Sequence, residues 1–361
     1  MAPRPRPGIL DIAAYVGGEA ALAGVERPLR LASNENPLGC SPRAADAFRC
    51  QADQLHRYPD GAASALRKAI GKAHDLDPDR IVCGAGSDEL IQLLARTYAG
   101  PGDEVLHSRH GFLMYAIAAQ AAGARPVAAP ETDLTADVEE LVRLAGPRTR
   151  LVFLANPNNP TGSYLPADAV RRLRERLPGD ALLVIDAAYA EYVERNDYEA
   201  GARFVDAGDN VVMTRTFSKI HGLAALRLGW AYCPPAVADA LNRVRGPFNV
   251  SAPAQAAGIA ALADREFVEL SRRHNSYWLP WLREQVAAAG LVAHPSVGNF
   301  VLVQFPAGNG RDAETALKFL NERDILPRRM AAYGLPDCLR ISIGRDDDNR
   351  RVAAALADFM T

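Results

Sequence analysis

Val211-Val212-Met213-Thr214-Arg215-Thr216-Phe217-Ser218-Lys219 opens as an apolar strand, passes into hydroxyl residues and ends on a lysine. The short apolar run without polar alternation fits a strand in a parallel sheet covered on both faces. A lysine carried by hydroxyl residues, with Arg227 following it, is what an enzyme needs to hold an aldehyde cofactor as an imine and grip its phosphate.

Outward from this stretch, residues 80–230 alternate short apolar strands with helical stretches, the pattern of one parallel sheet with helices on both faces. Strands are expected at Ile81–Cys83, Glu104–His107, Pro126–Ala129, Leu151–Ala155, Leu182–Asp186, Val211–Thr216 and Leu228–Cys233. Helical spacing of apolar residues covers Ser87–Tyr98, Met114–Ala122, Ala136–Leu144 and Ala167–Arg176, several with a Ser, Thr or Asp start signal. After Pro253 come long Ala-rich helical stretches. A shorter alternation follows: Asn299–Phe305, a helix over Asp312–Glu322, Ile325–Arg328, Leu339–Ile343 and a last helix from Asp346. These predict an α/β fold, with a large domain on a mostly parallel seven-stranded sheet and a smaller α+β domain. The expected division is 1–47 as an N-terminal arm and part of the small domain, 48–270 as the large cofactor-binding domain, and 271–361 as the small C-terminal domain.

With 361 residues, 48% hydrophobic and 23% charged, the chain can bury a full core. Its formal charge of −2 comes from intermixed acids and bases, which argues against nucleic acid as partner. Five cysteines without any Cys-x-x-Cys pair argue against a disulfide framework or a zinc site and fit a reducing cytoplasm. Met1–Gly8 has arginines and prolines but no apolar core, and no segment has 18 consecutive apolar residues. A cytoplasmic protein with neither signal peptide nor membrane span is expected.

Several motifs carry chemistry. Cys83-Gly84-Ala85-Gly86-Ser87-Asp88-Glu89 runs from strand through glycines into helix, so its free N–H groups and positive dipole end suit a phosphate; a tight turn capped by Ser87 or Asp88 is the plain alternative. Asn156-Pro157-Asn158-Asn159-Pro160-Thr161-Gly162 fixes a loop at a strand's carboxyl end, where open α/β sheets bind ligands, and Asn159 could donate to a ligand oxygen. Asp186 closes a buried strand, and an unpaired buried carboxylate is costly. A protonated pyridine nitrogen would answer it, with Tyr189 reaching the ring's phenolate oxygen; a structural salt bridge or helix cap is the alternative. Arg340, inside the apolar Leu339-Arg340-Ile341 strand, needs an anion, and a carboxylate matches its planar guanidinium. An internal Asp or Glu is its structural alternative. His221 reads as packing beside the site rather than as a base, and Asp346-Asp347-Asp348 as a solvated helix start rather than a metal cluster.

Taken together, Ser33-Asn34-Glu35-Asn36-Pro37-Leu38-Gly39, Gly86-Ser87-Asp88-Glu89, Asn158-Asn159-Pro160-Thr161-Gly162, Asp186 with Tyr189, Thr216-Phe217-Ser218-Lys219 with Arg227, and Leu339-Arg340-Ile341 resemble the class I/II, fold type I aminotransferases. Among them the chain is most similar to the histidinol-phosphate aminotransferases, over nearly its whole length and in order. The resemblance implies pyridoxal 5′-phosphate bound to Lys219. Asp186 is then implied on the pyridinium nitrogen, Tyr189 and Asn159 on the 3′-oxygen, and Phe112 stacked on the ring. Arg227, Ser218, Thr216 and the Gly86-Ser87-Asp88 backbone are implied on the phosphate. Tyr58 resembles the tyrosine that reaches the phosphate from a second subunit, which implies a homodimer with shared active sites. Arg340 is implied on the co-substrate's carboxylate and Arg328 on the phosphate of histidinol phosphate, with Asn34 and Tyr115 completing the substrate set. The implied reaction is amino transfer between histidinol phosphate and 2-oxoglutarate in histidine biosynthesis. An aromatic amino-acid aminotransferase is the first alternative, and a decarboxylase of a phosphorylated amino acid the second. Ala85, Ala187, His221 and His110-Gly111 stand where the family commonly has Asn, Glu, Tyr and Pro-Thr.

Overall fold

The computed structural model describes residues 3–361 apart from 20, 23 and 309. Seven apolar runs form one sheet: β1 (Ile81–Gly84), β2 (Glu104–Ser108), β3 (Arg125–Ala129), β4 (Thr149–Ala155), β5 (Leu182–Asp186), β6 (Val211–Thr216) and β7 (Gly229–Tyr232). Their order is β1-β7-β6-β5-β4-β2-β3, and β7 runs antiparallel to both neighbours while the other pairs are parallel. Alternate residues feed two cores. Leu183, Ile185 and Met213 pack on one face, and Val184, Val212 and Phe153 on the other. Each such side chain contributes roughly 1.5–3 kcal/mol on burial, so the pleat fixes which side of the sheet Asp186 and Thr214 share, opposite each other in register.

Four short strands make the second sheet: β8 (Val292–Ala293), β9 (Phe300–Gln304), β10 (Arg328–Arg329) and β11 (Cys338–Ser342), ordered β8-β9-β11-β10 and antiparallel throughout. Helices Arg265–Ala288, Ala313–Asn321 and Asp346–Met360 pack with it around Leu282, Val301, Leu320, Ile341 and Leu356. The early segment joins this body: Leu29–Arg30 pairs in parallel with Ile325–Leu326.

Most boundaries shift from the sequence reading by a residue or two, and two of the differences have a clear local cause. The helix expected from Ala136 starts at Val138, because Thr135–Ala136 pairs with Glu131–Thr132 and Asp137 caps the helix through the N–H groups of Glu139 and Glu140. The strand expected over Ile325–Arg328 divides in two at Pro327, which has no N–H to give a ladder. Asp346 to Asp348 begin a helix, and no group of metal-binding side chains occurs among the described residues. No helix among them is long and apolar enough to cross a membrane.

Candidate active site

At the carboxyl ends of β4, β5 and β6 a cleft opens, where open α/β sheets place ligands. Lys219, Asp186, Tyr189, Phe112, Asn159, Ser218 and Arg227 line it together with Arg328 and Arg340 from the second sheet. Lys219 follows β6, and its amine donates to the carbonyl of Ser33 at 2.9 Å. Burial first, and the positive charge of Arg340 second, bring its pKa down to about 8 from 10.5. An amine with that proton affinity gives and takes a proton near neutral pH.

Asp186 ends β5 and is 6% exposed. No cation pairs with it among the described residues. Its two oxygens instead accept the hydroxyls of Tyr115 at 2.7 Å and Thr214 at 3.2 Å. Burial dominates and lifts its pKa to about 6 from 3.8, partly offset by these donors. Neither the salt bridge nor the helix cap considered from sequence is present among the described residues. Tyr189 stands over Lys219, its ring centre 5.7 Å from the amine, and its hydroxyl accepts from Asn34 at 2.9 Å.

The start of helix Ser87–Tyr98 has the geometry to receive an anion. Gly86 occupies the cap position with φ 83° and no side chain caps the end, so the first-turn N–H groups lack intrahelical acceptors. A Cβ on Gly86 would lie 2.5 Å from Nη2 of Arg227. Arg227 reaches this cradle from a left-handed backbone (φ 50°), a conformation that concentrates at functional sites. Its guanidinium donates to Ser218 Oγ at 3.2 Å and Asp88 at 3.0 Å. Thr216 closes the cradle, its hydroxyl accepting from the Ser218 N–H at 3.1 Å.

The second sheet supplies two cations. Arg328 and Arg340 are directly opposite across β10 and β11, 8% and 5% exposed, and neither has a carboxylate partner among the described residues. Arg340 donates to Asn159 Oδ1 and, at 2.6 Å, to the carbonyl of Ala32; Arg328 donates to the carbonyl of Val16 at 2.5 Å. Like charges facing each other across strands repel. Only neutral acceptors hold them, which leaves both available to an anion.

The remaining predicted residues divide. Phe112 lines the cleft edge-on to Tyr115. Asn34 lines it too, but its amide is engaged by Tyr189 and Ser342. Tyr115, expected at the substrate, gives its hydroxyl to Asp186. Tyr58 does not reach the cleft of its own chain: it is 82% exposed and stacks on Phe248 at 4.6 Å. His221 is buried against Phe217 and 4.0 Å from Glu191, outside the cleft lining. Sequence reasoning missed Tyr15, Tyr333 and Thr214. The first two come from stretches without periodicity; Thr214 was within reach, because register opposite Asp186 is a property of paired strands.

The family model for aminotransferase class I and II matches residues 26–356. This chain belongs to that family. The aminotransferase is 62% identical to the histidinol-phosphate aminotransferase of Paramagnetospirillum magneticum and 63% to that of Rhodospirillum centenum, in each case over 99% of both chains. Among solved structures it resembles the histidinol-phosphate aminotransferase of Sinorhizobium meliloti in complex with pyridoxal-5′-phosphate, with TM-score 0.91 and 31% identity over 100% of this chain and 98% of that one. The α/β architecture of this aminotransferase is therefore that of fold type I.

Proposed function

We propose that this aminotransferase moves an amino group between histidinol phosphate and 2-oxoglutarate, with pyridoxal phosphate as cofactor. The observation that carries the reading is the facing pair Arg328 and Arg340. Two buried guanidiniums without carboxylates match the two anions the reaction presents in turn, a phosphate monoester and a carboxylate. An aromatic amino-acid substrate would use Arg340 and leave Arg328 with no partner.

The residues fit the cofactor. Lys219 offers an amine of lowered proton affinity, Asp186 a buried carboxylate without a cation, and Gly86 a cradle that a side chain would fill. Arg227, Ser218, Thr216 and the N–H groups at Ser87 and Asp88 would hold the phosphate; Asp186 the ring nitrogen; Tyr189 and Asn159 the ring oxygen; Phe112 a ring face. Bound there, pyridoxal phosphate supplies an electron sink for the charge left when a proton departs the substrate's amine-bearing carbon. The Lys219 amine carries that proton from the substrate carbon, since its pKa of about 8 suits both directions of transfer. Asp186, ionised beside a cation, keeps the sink electron-poor. Arg328 and Arg340 orient the substrates so that this carbon lies within reach of Nζ.

Arg328→Ala tests the assignment. Losing a charge-assisted phosphate contact worth about 1.5–3 kcal/mol raises KM for histidinol phosphate roughly ten- to hundredfold while KM for glutamate stays. Steady-state kinetics with both substrates check it, and unchanged histidinol phosphate kinetics would refute the phosphate role.

The same reading includes a homodimer in which Tyr58 reaches the partner's cofactor phosphate, supported by its exposure beside the exposed Phe248 and Leu55, with which it lines a surface groove. It also includes a cytoplasmic location, supported by five free cysteines. The arm, large domain and small domain divide at 47 and 270, boundaries that fall inside helices Pro42–Arg49 and Arg265–Ala288.

A further inference from the structure

Tyr115 is fully buried, and its ring lies flat on Phe153 with centroids 4.6 Å apart and planes 2° from parallel. A phenylalanine would serve that packing. The hydroxyl is the extra group, and a buried hydroxyl must find a partner or cost free energy. Its partner is Oδ2 of Asp186 at 2.7 Å, while Thr214 approaches Oδ1 at 3.2 Å from the neighbouring strand. Donors on both oxygens, delivered from a helix and from a strand and joined by the Ala188 backbone N–H, fix the rotation of the carboxylate about its own bond.

We propose that Tyr115 is the positioning residue for Asp186, setting the plane of the carboxylate and stabilising its charge so that it meets the cofactor's ring nitrogen. The inference rests on the cofactor reading and assigns Tyr115 to the cofactor side of the site rather than to substrate contact. A neutral donor suits this role, because a cation in its place would compete with the ring for the same carboxylate. The other titratable groups near Asp186 are Tyr189 beyond its own strand, Tyr198, and Asp88 at the helix start, and Asp88 disfavours its ionised form. Tyr115 and Thr214 act against that repulsion and against burial.

Tyr115→Phe in the holoenzyme is expected to lower kcat about tenfold, the loss of one hydrogen bond to a charged group, with KM for both substrates kept within about twofold. Two readouts do not depend on turnover. In the apoprotein, the carboxyl 13C resonance of Asp186 titrates at higher pH in Tyr115→Phe and at lower pH when 3-fluorotyrosine, a stronger donor, is placed at 115. Pyridoxal phosphate affinity falls about tenfold on Tyr115→Phe but shows no further fall in an Asp186→Asn background. The proposal is overturned by an unmoved carboxyl titration, by equal affinity losses in both backgrounds, or by a raised KM with kcat preserved. The fluorotyrosine protein carries the same decision if the phenylalanine variant does not fold. A parent protein that binds no pyridoxal phosphate would instead refute the cofactor reading, and the apoprotein titration would still report on the hydrogen bond.

Discussion

Burying the Asp186 carboxyl among hydroxyls, with no cation beside it, lifts its pKa to about 6 from 3.8. The folded apoprotein therefore holds more protons than the unfolded chain between these values, and stability falls as pH rises through that window. Above about pH 6 the cost is fully present. Asp186→Asn removes it, so the variant apoprotein should be more stable than the parent at pH 7 by on the order of 2–3 kcal/mol, a margin that disappears below the carboxyl's ordinary pKa. Urea unfolding at both pH values checks this; an equal margin at the two would mean that packing, not charge, sets the difference. Lys219 follows the same logic with opposite charge: burial favours its neutral form. Asp186 was legible in the sequence because a charge at the end of an apolar strand is expensive without a partner, and Lys219 because it follows hydroxyl residues with Arg227 behind it. Tyr115 was legible only as a residue near the site, since a helix face does not reveal which strand tip its hydroxyl meets.

At the level of elements, the seven strands and the helices between them follow from apolar runs and start signals, and they recur within a residue or two of expectation. What the pattern could not carry was direction. β7 has the same apolar character as its parallel neighbours, yet it enters antiparallel between β1 and β6. Gly229 at its start lets the Gly86-Ser87 turn approach: a Cβ there would collide with the Ser87 backbone nitrogen and lie 2.6 Å from the Gly86 carbonyl carbon. Since the obstruction is backbone and not a flexible side chain, Gly229→Ala should cost about 1–3 kcal/mol and push the helix start away from Arg227. Thermal unfolding and pyridoxal phosphate titration measure both parts. A variant as stable and as tightly loaded as the parent would show that the loop has room to move.

Across the whole molecule, the cleft gathers residues as far apart as Asn34, Lys219 and Arg340, carried by two sheets. Their identities were readable from motifs. Their distances were not, because the contacts across the cleft, such as Arg340 on Asn159 and Lys219 on Ser33, span 181 and 186 positions. Tyr58 is the one cofactor residue expected from sequence that a single chain leaves outside, exposed on Phe248. A homodimer with shared sites makes a specific demand: mixing inactive Lys219→Ala with Tyr58→Ala protein should restore activity, since one site of each mixed dimer receives both native residues. No recovery after subunit exchange would confine each site to one chain. The proposed chemistry of the cleft depends throughout on the Lys219 amine as the point of cofactor attachment. Borohydride reduction of the loaded protein, followed by proteolysis and mass spectrometry, reads that directly: a phosphopyridoxyl group on Lys219 is the predicted product, and a label on any other lysine would contradict it.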